Sequence, residues 1–569
     1  MVVDTLNKLI ASTWGAFAVY LLLALLLTFP MCLHPIETVV GHDHASVGCH
    51  VWVLWWARQS LDLHTPLIFF PYGADVVQLY GSDLLSPLLF SVVSLPPSLL
   101  YNCWILLLLV IGALGVRQIL LFLQTTPWIA IAGGWAWMCS PFLQHEMLNG
   151  TSELLSTGLL AWFIWFTLDI WEAPTARKGL LIGVVSGILL MSSAYNPFFM
   201  LLILVSLLIH RLTTNLTPLW STNLLYCCLY AVASFLPFLL FVGWIQVSHG
   251  ALDTFSRRLD WLSLDVSLPD SYVGLTNWFS TTPSPLPAKM PLPDGTHFEY
   301  WTTCTNYIGW VVILAMLFGW KHRRSFRFGG WAWMLFGAML IAMGPYLRLN
   351  GSVLMLGSTP IHLPAQTVDF LFPLFSITAM HAYRYSAVVC IAVAVLAARG
   401  MGRYTPLWML GILLETTLIS PQPYPQHTTA ISQSPTLRRL RDLPDAAVFT
   451  FPVAKEDLHD LSTVLLAQTI HEKPIHEGGI HRRAGHDSTQ LFRDNYVVDA
   501  LSGRWGPEYP STLEGKMGLQ YLTQVGYNYV LVPSTNKEAI SFAQESLGDP
   551  ISGDEEWTLW QLSTDAITD

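Results

Sequence analysis

Residues 101–123 read YNCWILLLLVIGALGVRQILLFL and carry one charge, Arg117. A stretch of about 20 predominantly apolar residues is long enough to cross a bilayer as a helix. Comparable segments recur on both sides of this one, giving about eleven in all. They cover residues 14–33, 101–123, 127–142, 153–171, 179–193, 197–210, 223–247, 302–320, 328–345, 381–398 and 406–420. The pattern predicts a mostly α, polytopic transmembrane helical bundle.

The composition agrees with a chain that is surrounded by membrane lipid. Hydrophobic residues make up 53% of the sequence and charged residues only 12%, whereas soluble domains carry about 25% charged residues. The formal net charge is −10, and the sequence has no basic stripe that would neutralise a phosphate backbone. Nucleic acid is therefore not expected as a partner.

Basic residues fall on alternate loops between the apolar segments, and this pattern predicts the orientation. The basic residues of these loops and of the adjoining segment ends are Arg117, Arg177 with Lys178, Arg211, the run KHRRSFR at 321–327, and Arg399 with Arg403. Because cytoplasmic loops carry an excess of Lys and Arg, we expect a cytoplasmic N-terminus. Residues 34–100, 248–301 and 346–380 then form large outer loops. Within the first loop, residues 84–100 contain several prolines and are predicted to be interfacial or re-entrant.

The end of the chain has the character of a soluble domain. Residues 446–454, 527–534 and 557–562 are predicted as strands, and residues 460–470, Thr512–Val525 and Lys537–Leu547 as helices. We therefore expect a transmembrane domain at 1–420 and a small extracytoplasmic α/β domain at 421–569. A Pro- and Gln-rich linker at 421–427 joins them.

A first polar cluster, Gly41-His42-Asp43-His44, follows the first apolar segment and precedes an aromatic helix suited to the membrane interface. As a functional element, Asp43 is a general base that takes the proton of an acceptor hydroxyl. His42 and His44 could bind a metal ion, but two histidines two positions apart are weak evidence for a metal site. The alternative is a solvated turn without a catalytic role.

A second cluster, FLQHEMLNG at 142–150, contains His145 and Glu146 and is followed by Glu153. The predicted topology puts it on the same side as Asp43, so two acids could share a metal ion or divide acid and base roles. The alternative is a polar connection in which Thr151 and Ser152 cap the next helix.

A third cluster, Tyr383-Arg384-Tyr385, begins a late apolar segment. An arginine between aromatic rings can grip a phosphate through two parallel hydrogen bonds. The alternative is an arginine that extends to the headgroup level. Arg348 is a second candidate for an anion contact.

Several short motifs together resemble the GT-C class of membrane glycosyltransferases, as represented by a broad group of bacterial polytopic proteins. These motifs are residues 41–56, FFPYG at 69–73, Ser140-Pro141 with His145, MHAYRY at 380–385 with LAARG at 396–400, and QTIHEKPI at 468–475. The resemblance implies a sugar donor on a polyprenyl phosphate or diphosphate, used at the outer face of the membrane.

By the same resemblance Asp43 is the catalytic base, Arg384 contacts the donor phosphate, and Glu146 or His145 is a site residue of the second loop. His42, His44, Tyr383 and Arg348 complete the expected binding set. The sequence departs from the class in having no clear DxD motif. A divalent metal, Mg²⁺ or Mn²⁺, therefore stays open as a cofactor.

The expected function is inverting transfer of a sugar to an extracytoplasmic glycan, lipid or protein acceptor, in the inner membrane of a bacterial cell envelope. One alternative is a transporter or flippase for a lipid-linked or hydrophobic solute. The sequence shows no inverted repeat, which is the usual hint of a transporter. The other alternative is a scaffold without catalytic activity.

Overall fold

The computed structural model describes residues 12–42, 46–76, 83–213, 221–248, 275–281, 303–319, 328–344, 346–349, 352–365, 382–422, 424–450, 458–476 and 512–562, with strand pieces at 284–285, 290–291 and 297–298. Asp43 and His44 of the first polar cluster lie outside these residues.

Helices dominate the first 420 residues. They are α1 (Thr13–Leu27), α2 (Val47–Gln59), α3 (Leu85–Phe90), α4 (Pro97–Phe122), α5 (Pro127–Met138), α6 (Pro141–Leu148), α7 (Ser152–Leu155), α8 (Leu159–Glu172), α9 (Ala176–Ser192), α10 (Asn196–Thr213), α11 (Thr222–Ser248), α12 (Trp310–Gly319), α13 (Phe328–Ala342), α14 (Ser386–Met401) and α15 (Thr405–Leu418). Every apolar segment predicted from the sequence overlaps one of these helices, so the helical character is confirmed. The number of spans stays a prediction.

Five helical stretches of the described residues are long and apolar enough to cross a membrane. They are Pro97–Phe122, Ser152–Glu172, Asn196–Thr213, Thr222–Ile245 and Ala382–Leu418. Thr13–Leu27, Trp310–Gly319 and Gly329–Ala342 are apolar but shorter. The chain is thus a helical membrane protein.

Small residues bring α9 and α11 close together. A side chain at Gly179, Gly183 or Gly187 would meet the facing helix at 2.0–2.3 Å. The Ser234 hydroxyl of α11 donates a hydrogen bond to the Leu180 carbonyl across the contact, at 3.0 Å. Such a spacing of small residues lets helix backbones approach within a bilayer.

The tail continues with α16 (Pro435–Asp442), α17 (Leu458–His471), α18 (Thr512–Val525) and α19 (Lys537–Leu547). Its four-stranded sheet has the order β13 (Ala447–Thr450), β14 (Tyr527–Pro533), β16 (Trp557–Gln561) and β15 (Ser552–Gly553). The β13–β14 pair is parallel and the other two pairs are antiparallel. The predicted strands and helices of the tail are confirmed, while the domain boundary stays a prediction.

The two faces of this sheet belong to different cores. Tyr529 and Leu531 join the large core that runs through the helices. Val530 and Val532, which alternate with them along β14, join a smaller core with residues of α18 and α19. Alternation along a strand places successive side chains on opposite faces, so one sheet connects the two cores.

Short antiparallel strand pairs lie in the loops. They are β1 (Thr38–Val40) with β12 (Thr428–Ala430), β2 (His64–Thr65) with β3 (Ala74–Asp75), β4 (Ser284–Pro285) with β7 (Thr303–Cys304), β5 (Met290–Pro291) with β6 (His297–Phe298), β8 (Arg348–Leu349) with β9 (Ser352–Val353), and β10 (Met355–Leu356) with β11 (Thr359–Pro360). The β1–β12 pair joins the first loop to the chain that follows α15.

The predicted linker is packed against the bundle. Gln422 and Gln426 are buried, and the backbone N–H of Gln426 donates to the Phe29 carbonyl at 2.8 Å. The N–H of Gly41 donates to the His427 carbonyl at 2.9 Å. These contacts fix the start of the tail on the loop that follows α1.

Candidate active site

The second polar cluster folds into α6, whose start is set by Pro141 at its first turn. His145 and Glu146 are each only 1% exposed. The chain turns at Gly150, and the Thr151 side chain returns to Glu146, where its hydroxyl contacts the carboxylate and lies 2.9 Å from the carbonyl oxygen. Thr151 therefore holds Glu146 and makes no side-chain cap of the helix that follows it.

Arg384 lies in a short 3₁₀ helix, Ala382–Tyr385, that leads directly into α14. Its guanidinium carbon lies 4.8 Å from the centre of the Tyr195 ring and 5.9 Å from that of Tyr383. Tyr383 in turn packs against Phe142 of α6, with ring centres 6.3 Å apart. The second and third polar clusters are thus neighbours, and Arg384 attracts the carboxyl groups of Glu146 and Glu153.

Residues just before α12 bind the segment that contains Arg384. The Asn306 side-chain amide donates to the Tyr383 carbonyl at 3.3 Å and contacts the Ser386 hydroxyl. In the next residues, Glu415 of α15 accepts hydrogen bonds from the Tyr307 hydroxyl and from the first backbone N–H groups of α12. This buried glutamate therefore serves as the N-terminal cap of a neighbouring helix.

His50 of α2 faces the same cluster. Its Nε2 lies 3.3 Å from Glu153 Oε2, and its Nδ1 lies 3.2 Å from the Ser152 hydroxyl. Both ring nitrogens therefore contact the first turn of α7, and the ring cannot rotate without losing both contacts.

Asp83 completes the group of buried charges. It is 5% exposed, and its Oδ1 accepts hydrogen bonds from the backbone N–H groups of Leu85 and Ser86, both at 3.0 Å. Its Oδ2 accepts from the Ser86 hydroxyl at 2.6 Å. The carboxylate caps α3 and also acts electrostatically on His50.

Burial sets the protonation of these groups. It raises the pKa of Glu146, and the charge of Arg384 and the hydrogen bond from Thr151 offset only part of that rise. Burial also raises the pKa of Asp83 to about 6, against the hydrogen bonds from Ser86. For His50, burial lowers the pKa, but the hydrogen bond and charge of Glu153 with the charge of Asp83 outweigh it and leave the pKa raised.

The first loop is anchored on the second. The backbone N–H of His42 donates to the Leu148 carbonyl at 2.8 Å, and that of Ser46 donates to the Asn149 carbonyl at 3.2 Å. The His42 ring packs on His427, with ring centres 4.2 Å apart. The residues on either side of Asp43 and His44 therefore contact the loop that carries Glu146.

Arg348 lies in the short strand pair that follows α13. It is buried in β8, paired with Val353 of β9, and this hairpin packs near Leu275–Trp278. Of the predicted site residues that are described, the structure thus brings Glu146, Tyr383 and Arg384 together, with His145 next to Glu146 on α6 and His42 on the adjoining loop.

His50, Asp83 and Tyr195 are functional candidates that the sequence did not predict. The helix VGCHVWVLWWARQ has three titratable residues, Cys49, His50 and Arg58. A histidine within an otherwise apolar, aromatic helix was the sequence signal that could have identified His50. Asp83 lies two residues before the LSPLLF helix and accepts hydrogen bonds from its first N–H groups. Tyr195 carries no signal in its local sequence.

The aromatic helix expected at the membrane interface is buried instead. Trp52, Trp55 and Trp56 are less than 9% exposed, and α2 packs against α17 of the tail. The Trp52 indole donates to Gln468 Oε1 at 2.7 Å. Because Gly48 has no side chain, the Ser462 backbone can approach it closely.

The motif QTIHEKPI ties the tail to the first loop. The Gln468 amide donates to the Leu67 and Lys473 carbonyls at 2.6 and 3.0 Å. The Ile475 N–H donates to the Leu67 carbonyl, and the Ile475 carbonyl accepts from Phe70. Two of the motifs that resemble the GT-C class, 69–73 and 468–475, are therefore in direct contact.

The sequence left a divalent metal open as a cofactor. In the part of the chain that the structure describes, no group of three or more His, Cys, Asp or Glu side chains is placed to hold a metal ion. His50 and Glu153 have each other as partners, and Asp83 is occupied by its cap. We therefore derive no step through a metal.

No protein-family model and no curated protein matches the chain. Among solved structures, the chain is similar to the oligosaccharyltransferase of Archaeoglobus fulgidus in complex with Zn and sulfate, at 10% identity and a TM-score of 0.44 over 94% of this chain and 70% of that chain. It is also similar to ArnT from Cupriavidus metallidurans bound to undecaprenyl phosphate, at 11% identity and a TM-score of 0.44 over 98% of this chain and 99% of that chain. For apo ArnT the identity is 11% and the TM-score 0.47, over 96% of this chain and 98% of that chain. Both proteins belong to the GT-C class that the sequence motifs resemble, but TM-scores below 0.5 assign no residue role or substrate to this chain.

Proposed function

We propose that the protein transfers a sugar from a polyprenyl-phosphate-linked donor to an extracytoplasmic acceptor, with inversion at the sugar carbon. One observation carries the proposal. A half-buried arginine, Arg384, lies between tyrosine rings at the beginning of an apolar helix and close to a buried acid, Glu146. A lipid-linked sugar phosphate has an anionic phosphate and an apolar chain, so its binding site needs a cation and an apolar surface side by side.

Arg384 suits the donor phosphate because a guanidinium is always charged and can give two parallel hydrogen bonds to phosphate oxygens. The rings of Tyr195 and Tyr383 restrict its movement. An electrostatic clamp that is already in place costs no reorganisation when charge develops on the departing phosphate. The apolar helix that follows Arg384 provides a surface for the lipid part of the donor.

Glu146 suits a role in its protonated form. Burial raises its pKa and so favours the protonated form, which can donate a hydrogen bond to a phosphate oxygen. An acid that stayed ionised beside the donor would repel it. In the proposed site, Arg384 therefore supplies the charge and Glu146 a neutral hydrogen-bond donor.

Asp43 is proposed as the general base. In the reaction the bond between the sugar carbon and the phosphate oxygen breaks, and its electron pair stays on the polyprenyl phosphate. The acceptor oxygen forms the new bond to the same carbon from the opposite face, and its proton passes to Asp43. Support comes from His42 and Ser46, which flank this residue and are bonded to the loop of Glu146.

The proposed setting follows the charge pattern of the loops. The basic loops lie in the cytoplasm, and the site and the tail lie outside, in the periplasm of a bacterial inner membrane. The tail packs on the first loop through α17 and the 468–475 motif. This packing supports a role for the tail in covering the site and selecting a glycan, lipid or protein acceptor.

The test is donor consumption by the purified protein in lipid nanodiscs. Polyprenyl-phosphate sugars of several classes are offered with membrane extract as the source of acceptor. We expect turnover by the wild type and its loss in Asp43→Asn, while thermal unfolding of the two proteins is the same. A flippase would move the donor between leaflets without consuming it, and a scaffold would show no turnover with any donor. Either result rejects the proposal.

A further inference from the structure

The proposed site contains a histidine that the proposed chemistry does not use. His50 has a side-chain exposure of 16%, and both of its ring nitrogens contact residues of α7. Its partner Glu153 has a side-chain exposure of 7%. An ion pair shielded in this way is coupled far more strongly than one on the surface, and loss of one charge leaves the other without compensation.

The titratable groups around His50 come from several elements. Glu153 lies on α7, Asp83 precedes α3, and Tyr101 of α4 has its ring centre 6.5 Å from that of His50. On His50's own helix, burial raises the pKa of the Cys49 thiol to about 12, so this neighbour stays neutral. On the other face of α2, α17 presents Ser462 and Gln468, which do not titrate.

The charges of this group balance only while His50 is protonated. The imidazolium and Arg384 give two positive charges, and the carboxylates of Glu153 and Asp83 give two negative ones, while burial raises the pKa of Glu146 and favours its neutral form. Loss of the proton from His50 leaves a net negative charge next to the place where we put the donor phosphate. The site then repels an anion that it bound before.

We propose that His50 is a positioning residue of the donor site: as an imidazolium it holds Glu153 as a carboxylate in the cluster, and its deprotonation at alkaline pH weakens the binding of the donor phosphodiester. This inference rests on the proposed function. It adds a residue and a regulation by pH that the transfer chemistry alone does not require.

The direction with pH follows from the contacts. Glu153 and Asp83 stabilise the charged form of His50, so the favourable pairing is complete at acidic pH and is lost as the pH rises through the raised pKa of His50. Donor affinity is therefore expected to fall between pH 6.5 and pH 9. Asp83 does not account for this fall, because its pKa is about 6.

The experiment measures the affinity of a polyprenyl methyl phosphodiester for the protein in nanodiscs from pH 6.5 to pH 9. This probe keeps one negative charge throughout, so a change in affinity reports the protein. For the wild type we expect the dissociation constant to rise on the order of tenfold. For His50→Gln we expect a value that does not vary with pH and lies near the alkaline value of the wild type.

A matched control is His64→Gln. His64 also pairs with a carboxylate, Asp75, at 3.0 Å, but on the exposed part of the first loop. This variant should follow the wild-type curve. If His50→Gln does not fold, Glu153→Gln tests the same proposal. Loss of the carboxylate should move the pH midpoint of the change in affinity to lower pH.

The outcomes separate the two proposals. A probe that binds the wild type with no pH dependence, or a His50→Gln protein that keeps the wild-type dependence, overturns the role of His50 and leaves the proposed function intact. The role of His50 is also overturned if the pH midpoint of the change in affinity is the same in Glu153→Gln as in the wild type. If the phosphodiester binds at no pH, the donor site itself is wrong and both proposals fail.

Discussion

At the scale of single residues, the site consists of charged groups that are removed from water and paired with each other. Arg384, Glu146, Glu153 and His50 come from different elements and meet near the ends of apolar helices. Burying a charge is costly unless a partner or hydrogen bond compensates for it. Such a group is therefore a strong candidate for function, because packing alone would be served by apolar side chains.

Substitution of Glu146 distinguishes a neutral hydrogen-bond donor from a base. Glu146→Gln keeps the shape and a donor group, so we expect donor turnover at neutral pH within about tenfold of the wild type. Glu146→Ala removes the donor and should lose about 10²–10³-fold in kcat. The measurement is the initial rate of donor consumption in nanodiscs. A Gln variant as inactive as the Ala variant would mean that Glu146 acts as a carboxylate base.

The site could be predicted in part at this scale. Glu146 and Arg384 were found because an acid and an arginine beside apolar segments are unusual. His50 was missed because its partners Ser152 and Glu153 are remote in sequence; Ser152 lies 102 positions after His50. No local pattern shows that two polar residues from distant helices will share a site.

At the scale of elements, the contact between α2 and α17 connects the tail to the site. A methyl group at Gly48 would lie 2.3 Å from the Ser462 carbonyl oxygen, so the two helices would have to separate. We expect Gly48→Ala to lower the free energy of unfolding by about 1–3 kcal/mol and to reduce donor turnover, since His50 is on the same helix. Thermal unfolding and turnover in nanodiscs test both effects.

Gly243→Ala is the matched control for this substitution. Gly243 also lies in a helix, α11, but a methyl group there would meet nothing within 4 Å. Alanine has the higher helix propensity, so this variant should be as stable as the wild type or more stable. If Gly48→Ala and Gly243→Ala lost stability and turnover equally, close packing of α2 on α17 would not be the cause of the loss.

A second element contact lies in the tail, where Asp554 holds the start of α16. Partial burial favours the protonated acid, but hydrogen bonds from the Ser434 hydroxyl and from backbone N–H groups of Trp557, Thr436 and Glu556 lower the pKa of Asp554 to about 2. A lowered pKa stabilises the fold above the unfolded value of about 3.9, and this contribution is lost as the pH falls through about 2.

We therefore expect Asp554→Asn to lower the local stability of Pro435–Asp442 by about 1 kcal/mol at pH 7. Hydrogen exchange of the backbone N–H groups of α16 measures this quantity. The difference from the wild type should shrink between pH 4 and pH 2. Asp549→Asn, at an exposed position of the same tail, is the control and should have no effect. An equal loss in both variants would contradict the capping role.

Most elements could be predicted from sequence patterns, whereas their packing could not. The helices Thr512–Val525 and Lys537–Leu547 have the predicted bounds, since apolar periodicity and caps such as Asn536 are local signals. The burial of α2 depends on Trp52 and Gln468, which are 416 residues apart. The linker at 421–427 also has the composition of a free segment, yet its glutamines are buried.

At the scale of the whole molecule, the proposed function requires the site and the basic loops to lie on opposite sides of the membrane. Ser358, in the exposed β10–β11 hairpin, is expected outside, and Ala173, beside Arg177 and Lys178, is expected inside. In a background with the exposed Cys103 and Cys228 changed to serine, a membrane-impermeant maleimide should label Ser358→Cys in intact cells. Ala173→Cys should react only after permeabilisation. The reverse labelling pattern would show that the protein has the opposite orientation in the membrane.

The proposed function depends above all on Arg384, which binds the phosphate of the lipid-linked sugar donor. Its most direct test is donor turnover in nanodiscs by Arg384→Ala beside Arg403→Ala. Arg403 also lies over a tyrosine ring, at 4.7 Å, but at an exposed position, so it controls for loss of an arginine–tyrosine contact. We predict a loss on the order of 10²–10³-fold for Arg384→Ala and wild-type turnover for Arg403→Ala. Wild-type turnover by a folded Arg384→Ala protein would contradict the account.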